Sequence, residues 1–173
     1  MTIRKLAFCS AIVLFSIAIS AQEQQPPTPA IPVATNYAQK LVNETLGKHK
    51  DVVIMAFHVT PPDQTENVII ASNIGRIGKK ADEDDLRVID TGATNLEVNK
   101  AGNHFEDELP LLDQNGNRIG AVGIVFNYKA GDDKTKLAKK AEQVRDEMAK
   151  QIPSKDKLFE PLKAAPEDIK VLK

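Results

Sequence analysis

Glu106-Asp107-Glu108-Leu109-Pro110-Leu111-Leu112-Asp113-Gln114-Asn115-Gly116-Asn117-Arg118-Ile119-Gly120-Ala121-Val122-Gly123-Ile124-Val125-Phe126-Asn127-Tyr128 is the stretch that decides the fold. Two apolar runs flank Asn115-Gly116, a dipeptide that favours the tight connection of a β-hairpin. The second run, from Ile119 to Phe126, is apolar on both faces, which places it inside a sheet. Gly120, Ala121 and Gly123 leave room on that strand for a helix, a loop or a ligand to come close. Asn115-Gly116 fits a two-residue type I′ turn, with positive φ at both central positions. The alternative is a longer loop, Asp113 to Asn117, in which Gly116 alone is left-handed. Pro110 is expected at the strand end or at a bulge.

Outward from the hairpin strands, residues 104–112 and 118–128, the chain alternates helices and strands. Residues 96–99 read as the strand before them, and residues 51–60 and 66–72 as two earlier ones. The first of these is continuously apolar from Val52 to Phe57, so it too is expected to be buried on both faces. Residues 73–80 carry Gly75 and Gly78 across the sheet edge, with Arg76, Lys79 and Lys80 close together. Asp82 then caps a short helix, 83–91, opened by three acids that suit a helix N-terminus and ended by Gly92. Residues 34–46 show helical spacing in Ala34, Tyr37, Ala38, Leu41, Val42 and Thr45, with Thr35 or Asn36 as cap and Gly47 as stop. Within that helix the sequon Asn43-Glu44-Thr45 reads as coincidence. Asp132 or Asp133 caps a long helix whose stripe is Leu137, Ala141, Val144, Met148 and Ile152, and Pro153 stops it. An extension, 153–173, follows. Its patch Leu158, Phe159 and Leu162 could fold back on the domain or dock on a partner.

Arg4 and Lys5, the apolar run 6–19 and the small residues Ser20 and Ala21 have the layout of a secretory signal peptide. Cleavage is expected near Ala21, followed by a proline-rich, disordered spacer over 22–33. The mature protein is then periplasmic or secreted. Residues 1–21 contain two basic residues and no acid, so their removal leaves a net charge of −3. That balance, with Trp absent and aromatics at 5%, gives nucleic acid neither a basic field nor a stacking platform. No second apolar stretch reaches membrane length. The single cysteine, Cys9, leaves with the signal. A thiol nucleophile, a cysteine-bound metal and a disulfide scaffold are thereby excluded from the mature chain.

Helix, two strands, crossing helix, three-strand meander, helix is the order of a PAS-like sheet. The run Ile74-Gly75-Arg76-Ile77-Gly78-Lys79, the acidic helix ending in Gly92, and Glu108-Leu109-Pro110-Leu111-Leu112-Asp113-x-x-Gly116-x-x-Ile119-Gly120 resemble the Cache-type extracellular sensor domains of bacterial histidine kinases and chemoreceptors. The resemblance spans roughly residues 34–130 and rests mostly on turn and packing residues, which bear on fold rather than ligand. It implies an α+β fold, a five-stranded, mostly antiparallel PAS/Cache-like sheet with flanking N- and C-terminal helices over 34–152. It also implies a small-ligand sensor, here expected as a stand-alone module. The carboxylate-sensing members place a His or Arg after the second strand, where this chain has Ser72-Asn73. Their fourth strand carries basic or hydroxyl residues, where this one has Glu106, Asp107 and Glu108. A di- or tricarboxylate ligand is therefore not implied.

The expected site lies between the small-residue strand and the glycine-bearing crossing, and its candidate ligand-binding residues are Ser72, Asn73, Arg76, Lys79, His104 and Glu106. Gly75-x-x-Gly78 with its three cations could hold an anion or a small polar molecule, although the acids 82–85 offset that field. A metal site would have to draw on His58, His104 and Glu106, which lack ligand spacing; no metal and no cofactor are expected. Ser72 has no visible His and Asp partners, and Glu106 and Glu108 read as an exposed strand face, so no catalytic residue is assigned. Three functions follow in order: a binding module, then a protein–protein interaction scaffold or homodimer built on the same fold, then a small hydrolase or metal-dependent enzyme.

Overall fold

The computed structural model describes residues 35–162. The expected signal peptide, the proline-rich spacer and the end of the extension lie outside them. Helix α1 (Tyr37–Lys48) is capped by Asn36, whose side chain accepts from Gln39 N–H. It runs through Gly47 and ends at Lys48, two residues later than the sequence suggests, with His49 as its cap. Strands β1 (Val52–Val59) and β2 (Val68–Ser72) follow, then α2 (Glu83–Thr91), β3 (Asn95–Val98), β4 (His104–Leu112), β5 (Arg118–Asn127) and α3 (Lys134–Ala149). A 3-10 turn, Asp156–Phe159, closes the described chain.

The five strands form one sheet in the order β2-β1-β5-β4-β3, and every neighbouring pair is antiparallel. The fold is thus α+β with a PAS-like sheet, as the order of elements predicts. The run that is apolar on both faces, β5, sits at its centre between β1 and β4. Before α2, the crossing segment returns along the outer edge of β2. Ile69 N–H donates to Lys79 C=O and Gly78 N–H to Ile69 C=O, both at 2.9 Å.

The hairpin takes the longer of its two expected forms. Among the described residues Arg76 is the only non-glycine with positive φ, so Asn115 is not left-handed and the turn is not type I′. Instead Asp113 organises the loop. Its carboxylate accepts from the backbone N–H groups of Asn115 and Asn117 and from the Asn117 amide. Gly116, at φ 80, supplies the one reversal. Pro110 lies inside β4, opposite Ala121, rather than at its end. β3 reaches only as far as Glu108, so β4 is an edge at Pro110 and the missing N–H is not needed there.

Alternation along the strands divides the sheet into unlike faces. One face is an apolar core: Met55, Phe57, Phe105, Leu109, Val122, Ile124 and Phe126 pack with Leu41 and Val42 of α1 and with Val144 and Met148 of α3. Leu158 of the 3-10 turn is fully buried in the same cluster, and Asn36 bridges to Pro161. The packed unit therefore continues past Ile152 to residue 162. Of the two readings of the patch, folding back on the domain is the one the structure shows: Leu158 is in the core and Phe159 packs against it. The opposite face is polar, and α2 and the crossing segment stand over it.

Candidate functional site

A cavity of about 190 Å³ lies on the polar face. Ile54, Ala56 and His58 of β1 and Gly123 of β5 form its floor. Asn95 and Glu97 of β3 with Glu106 and Glu108 of β4 form one wall, and Asp82, Asp84 and Asp85 at the start of α2 the other. Ile74, Arg76 and Lys79 close it from the crossing segment. The backbone there is unusual: Gly75, Arg76 and Gly78 all have positive φ, at 73, 65 and 85°. An arginine held at φ 65 is strained, a state that persists only when its surroundings fix it. Gly123 has a definite reason to be glycine. A Cβ there would come within 3.2 Å of Glu106 Oε1, so a side chain would reduce the cavity.

Asp85 is the centre of the arrangement and is 1% exposed. The α2 capping box fixes it: Asp85 N–H donates to the Asp82 side chain, and the Asp85 carboxylate accepts from Asp82 N–H at 2.9 Å. The same carboxylate lies 2.9 Å from His58 Nδ1. Burial opposes its charge, but hydrogen bonds from His58 and Glu108 outweigh that and hold the carboxyl well below the usual range. Its neighbour behaves oppositely. Burial, the hydrogen bond to Asp85 and the charges of Asp85, Glu106 and Asp82 push Glu108 up to about 9. Glu106 is also raised, first by burial and then by Glu97 and Asp85. Glu97 stands directly opposite Glu106 across the β3–β4 ladder, a like-charge pairing that destabilises a sheet.

Of the six residues expected to bind ligand, Arg76, Lys79 and Glu106 line the cavity, whereas Ser72, Asn73 and His104 do not. Ser72 is fully buried; its hydroxyl accepts from Ile74 N–H and its own N–H donates to the Gln39 side chain. The Asn73 amide stitches β1, accepting from Met55 N–H and donating to Val53 C=O. His104 begins β4 and is held by Asn99, whose side chain accepts from its backbone N–H. His58, His104 and Glu106, the residues a metal site would have had to draw on, do not share the cavity: His104 is not among its lining. Among the described residues no group of three or more His, Cys, Asp or Glu could hold a metal ion. The sequence reading left His58, Asp85 and Glu108 out of the candidate binding residues, weighing His58 only as a metal ligand and Glu108 only as part of an exposed strand face. A signal existed for Glu108, since Glu106 and Glu108 share one strand face; Asp85 was legible only as a helix-start residue.

No protein family and no curated protein matches the sequence. Solved structures do. The chain is similar to the Agobacterium tumefaciens repressor BlcR, at 11% identity and a TM-score of 0.47, covering 68% of this chain and 67% of that one. It is similar to the GAF domain of a two-component sensor histidine kinase from Bacillus halodurans, at 15% identity and a TM-score of 0.46, over 69% and 95% of the two chains. The inducer-binding domain of the PobR transcription factor from Acinetobacter, in complex with 3-hydroxybenzoic acid, is similar at 11% identity and a TM-score of 0.43, over 68% and 95%.

Proposed function

We propose that this protein is a sensor-type, small-ligand-binding module of the Cache/PAS kind, working in the periplasm or outside the cell. One observation carries the reading: the sheet is closed by an apolar core on one face and keeps an ionisable cavity on the other. A face needed only for stability would be covered with apolar side chains, because burying charge is costly. Here Asp85 and Glu108 are buried and Glu97 is set against Glu106. Such a concentration of perturbed groups in a concave site marks function more often than scaffolding. The basic, apolar and small-residue layout of residues 1–21 supports export.

The composition of the cavity favours binding over covalent catalysis. His58 and Asp85 make a pair, but no Ser, Thr, Cys or Tyr is among the residues lining the cavity. A panel of small polar metabolites screened by thermal shift tests the reading. A ligand present at about a hundred times its Kd should stabilise the fold by about 2.7 kcal/mol. In Gly123→Val, whose side chain would enter the cavity beside Glu106, that shift should vanish while the unliganded fold persists. A panel that shifts neither protein, or shifts both equally, overturns the assignment of this cavity.

A further inference from the structure

We infer that the cavity receives a small organic cation, an ammonium group bound between Asp85 and Glu108 with an aliphatic body against Ile54, Ile69 and Ile74. The inference rests on the reading of the cavity as a ligand site and names the ligand's chemistry.

Charge points this way first. Six acids, Asp82, Asp84, Asp85, Glu97, Glu106 and Glu108, line the cavity against two cations, Arg76 and Lys79. Both cations are exposed on the crossing segment, and Lys79 Nζ lies 3.8 Å from Asp82. Asp85 and Glu108 are buried in the walls and Glu106 is half-buried, whereas Asp82, Asp84 and Glu97 are exposed. A second observation is independent of the charge count. Asp85 Oδ1 and Glu108 Oε2 are buried without a hydrogen-bond donor among the described residues. Their residues are 1% and 9% exposed. A proton retained on Glu108 supplies the hydrogen shared by the two carboxyls, and His58 Nδ1, 2.9 Å from the Asp85 carboxylate, is the other donor at hand. An ammonium N–H offers the same donor with a full positive charge. The metal alternative lacks a converging ligand set, and the apolar floor suits carbon rather than a hydrated ion.

Ammonium binding then exchanges one proton for one cation. The ligand's N–H groups hydrogen-bond to both carboxylates, and the Glu108 proton leaves to solvent. His58 on β1, Glu97 and Glu106 on the strand wall, Asp82 and Asp84 on α2, and Arg76 and Lys79 on the crossing face the same space. Their charges add to the field but are not the proton released. Since Glu108 is raised to about 9, affinity should climb with pH below that value, by up to about tenfold per unit, and level off above it.

Three probes of one skeleton test this: butylammonium, butanol and butyrate, measured by calorimetry with the full mature chain between pH 6 and 9. An alkylammonium, like a lysine side chain, keeps its charge across that window. Butylammonium should bind at least about tenfold more tightly than the other two, the scale of one charge-assisted contact. About one proton should be released per ligand at pH 7, read from buffers of different ionisation enthalpy. Glu108→Gln should lose that release and the pH slope between 6 and 9. Glu106→Gln should weaken binding with the slope retained, and Glu44→Gln on the remote α1 should change neither. If butyrate or butanol binds and butylammonium does not, the cation assignment fails while the cavity remains a ligand site. If Glu108→Gln retains wild-type affinity and slope, the docking point is wrong. If none of the three binds and a wider panel is also silent, both readings fall together.

Discussion

Asp107 shows what a single residue can do in the wrong row. On β4 it alternates with Phe105, Leu109 and Leu111, so it faces the apolar core under α3, and it is fully buried. Neither carboxyl oxygen has a hydrogen-bond partner among the described residues. Burial, and after it the charge of Glu142, push the group up to about 7 against the pull of Arg145. The unfolded chain releases that proton near pH 4. Between about 4 and 7 the native state therefore holds more protons than the unfolded state, and stability falls as pH rises through that window, then stays flat. The whole shift would represent ~4 kcal/mol; the Arg145 charge and solvent screening reduce the expected loss to about 1–2 kcal/mol. Asp107→Asn keeps the shape without the charge. It should be more stable than wild type by that amount at pH 8 and lose the advantage at pH 3.5, as read by urea denaturation. An equal difference at both pH values would show that Asp107 is not where the proton sits.

At the scale of elements, two local devices set the site. The α2 capping box holds Asp85 against His58, so the start of one helix becomes a wall of the cavity. The β4–β5 hairpin brings Glu106 and Glu108 alongside Gly123. Its loop depends on Gly116 at φ 80, whose N–H donates to Asp113 C=O at 3.0 Å. A Cβ at that position would meet nothing within 4 Å, so substitution brings backbone strain and no clash. Gly116→Val should cost about 1–3 kcal/mol and Gly116→Asn less, because Asn tolerates the left-handed region. Chemical denaturation gives the order. A wild-type midpoint and slope for the valine variant would contradict the role assigned to this loop.

At the scale of the whole molecule, the segment after α3 joins the two ends of the described residues. Tyr37 N–H donates to Glu160 C=O at 2.9 Å, Leu162 N–H to Thr35 C=O at 3.1 Å, and Leu158 fills the core beside α1. Truncation after Pro153 removes all three. The loss of one fully buried leucine alone is of the order of 2–5 kcal/mol, so the truncated protein should melt markedly lower, by at least several degrees. A melting curve compared with Leu158→Ala separates core loss from the loss of the backbone bridges. An unchanged midpoint in both would mean that the segment serves a partner and not its own fold.

The sequence by itself determined the elements and their order. A short run apolar on both faces and bounded by turn residues reads as a buried strand, Asn115-Gly116 reads as a reversal, and Asp82 with three acids and Gly92 brackets a helix. These are local facts of periodicity and backbone preference. It also carried half of the candidate site, because Arg76 and Lys79 stand in a visibly glycine-punctuated crossing and Glu106 faces across β4. Only the tertiary structure decided the rest. His58, Asp85 and Glu108 lie on β1, α2 and β4, far apart in the chain, and meet because the order β2-β1-β5-β4-β3 sets β1 and β4 on either side of β5 beneath α2. A carboxylate's meaning depends on what removes its water. Along the chain Glu106, Asp107 and Glu108 are three similar acids. In the sheet two face the cavity and one the core, and burial with unlike neighbours gives each a different proton affinity.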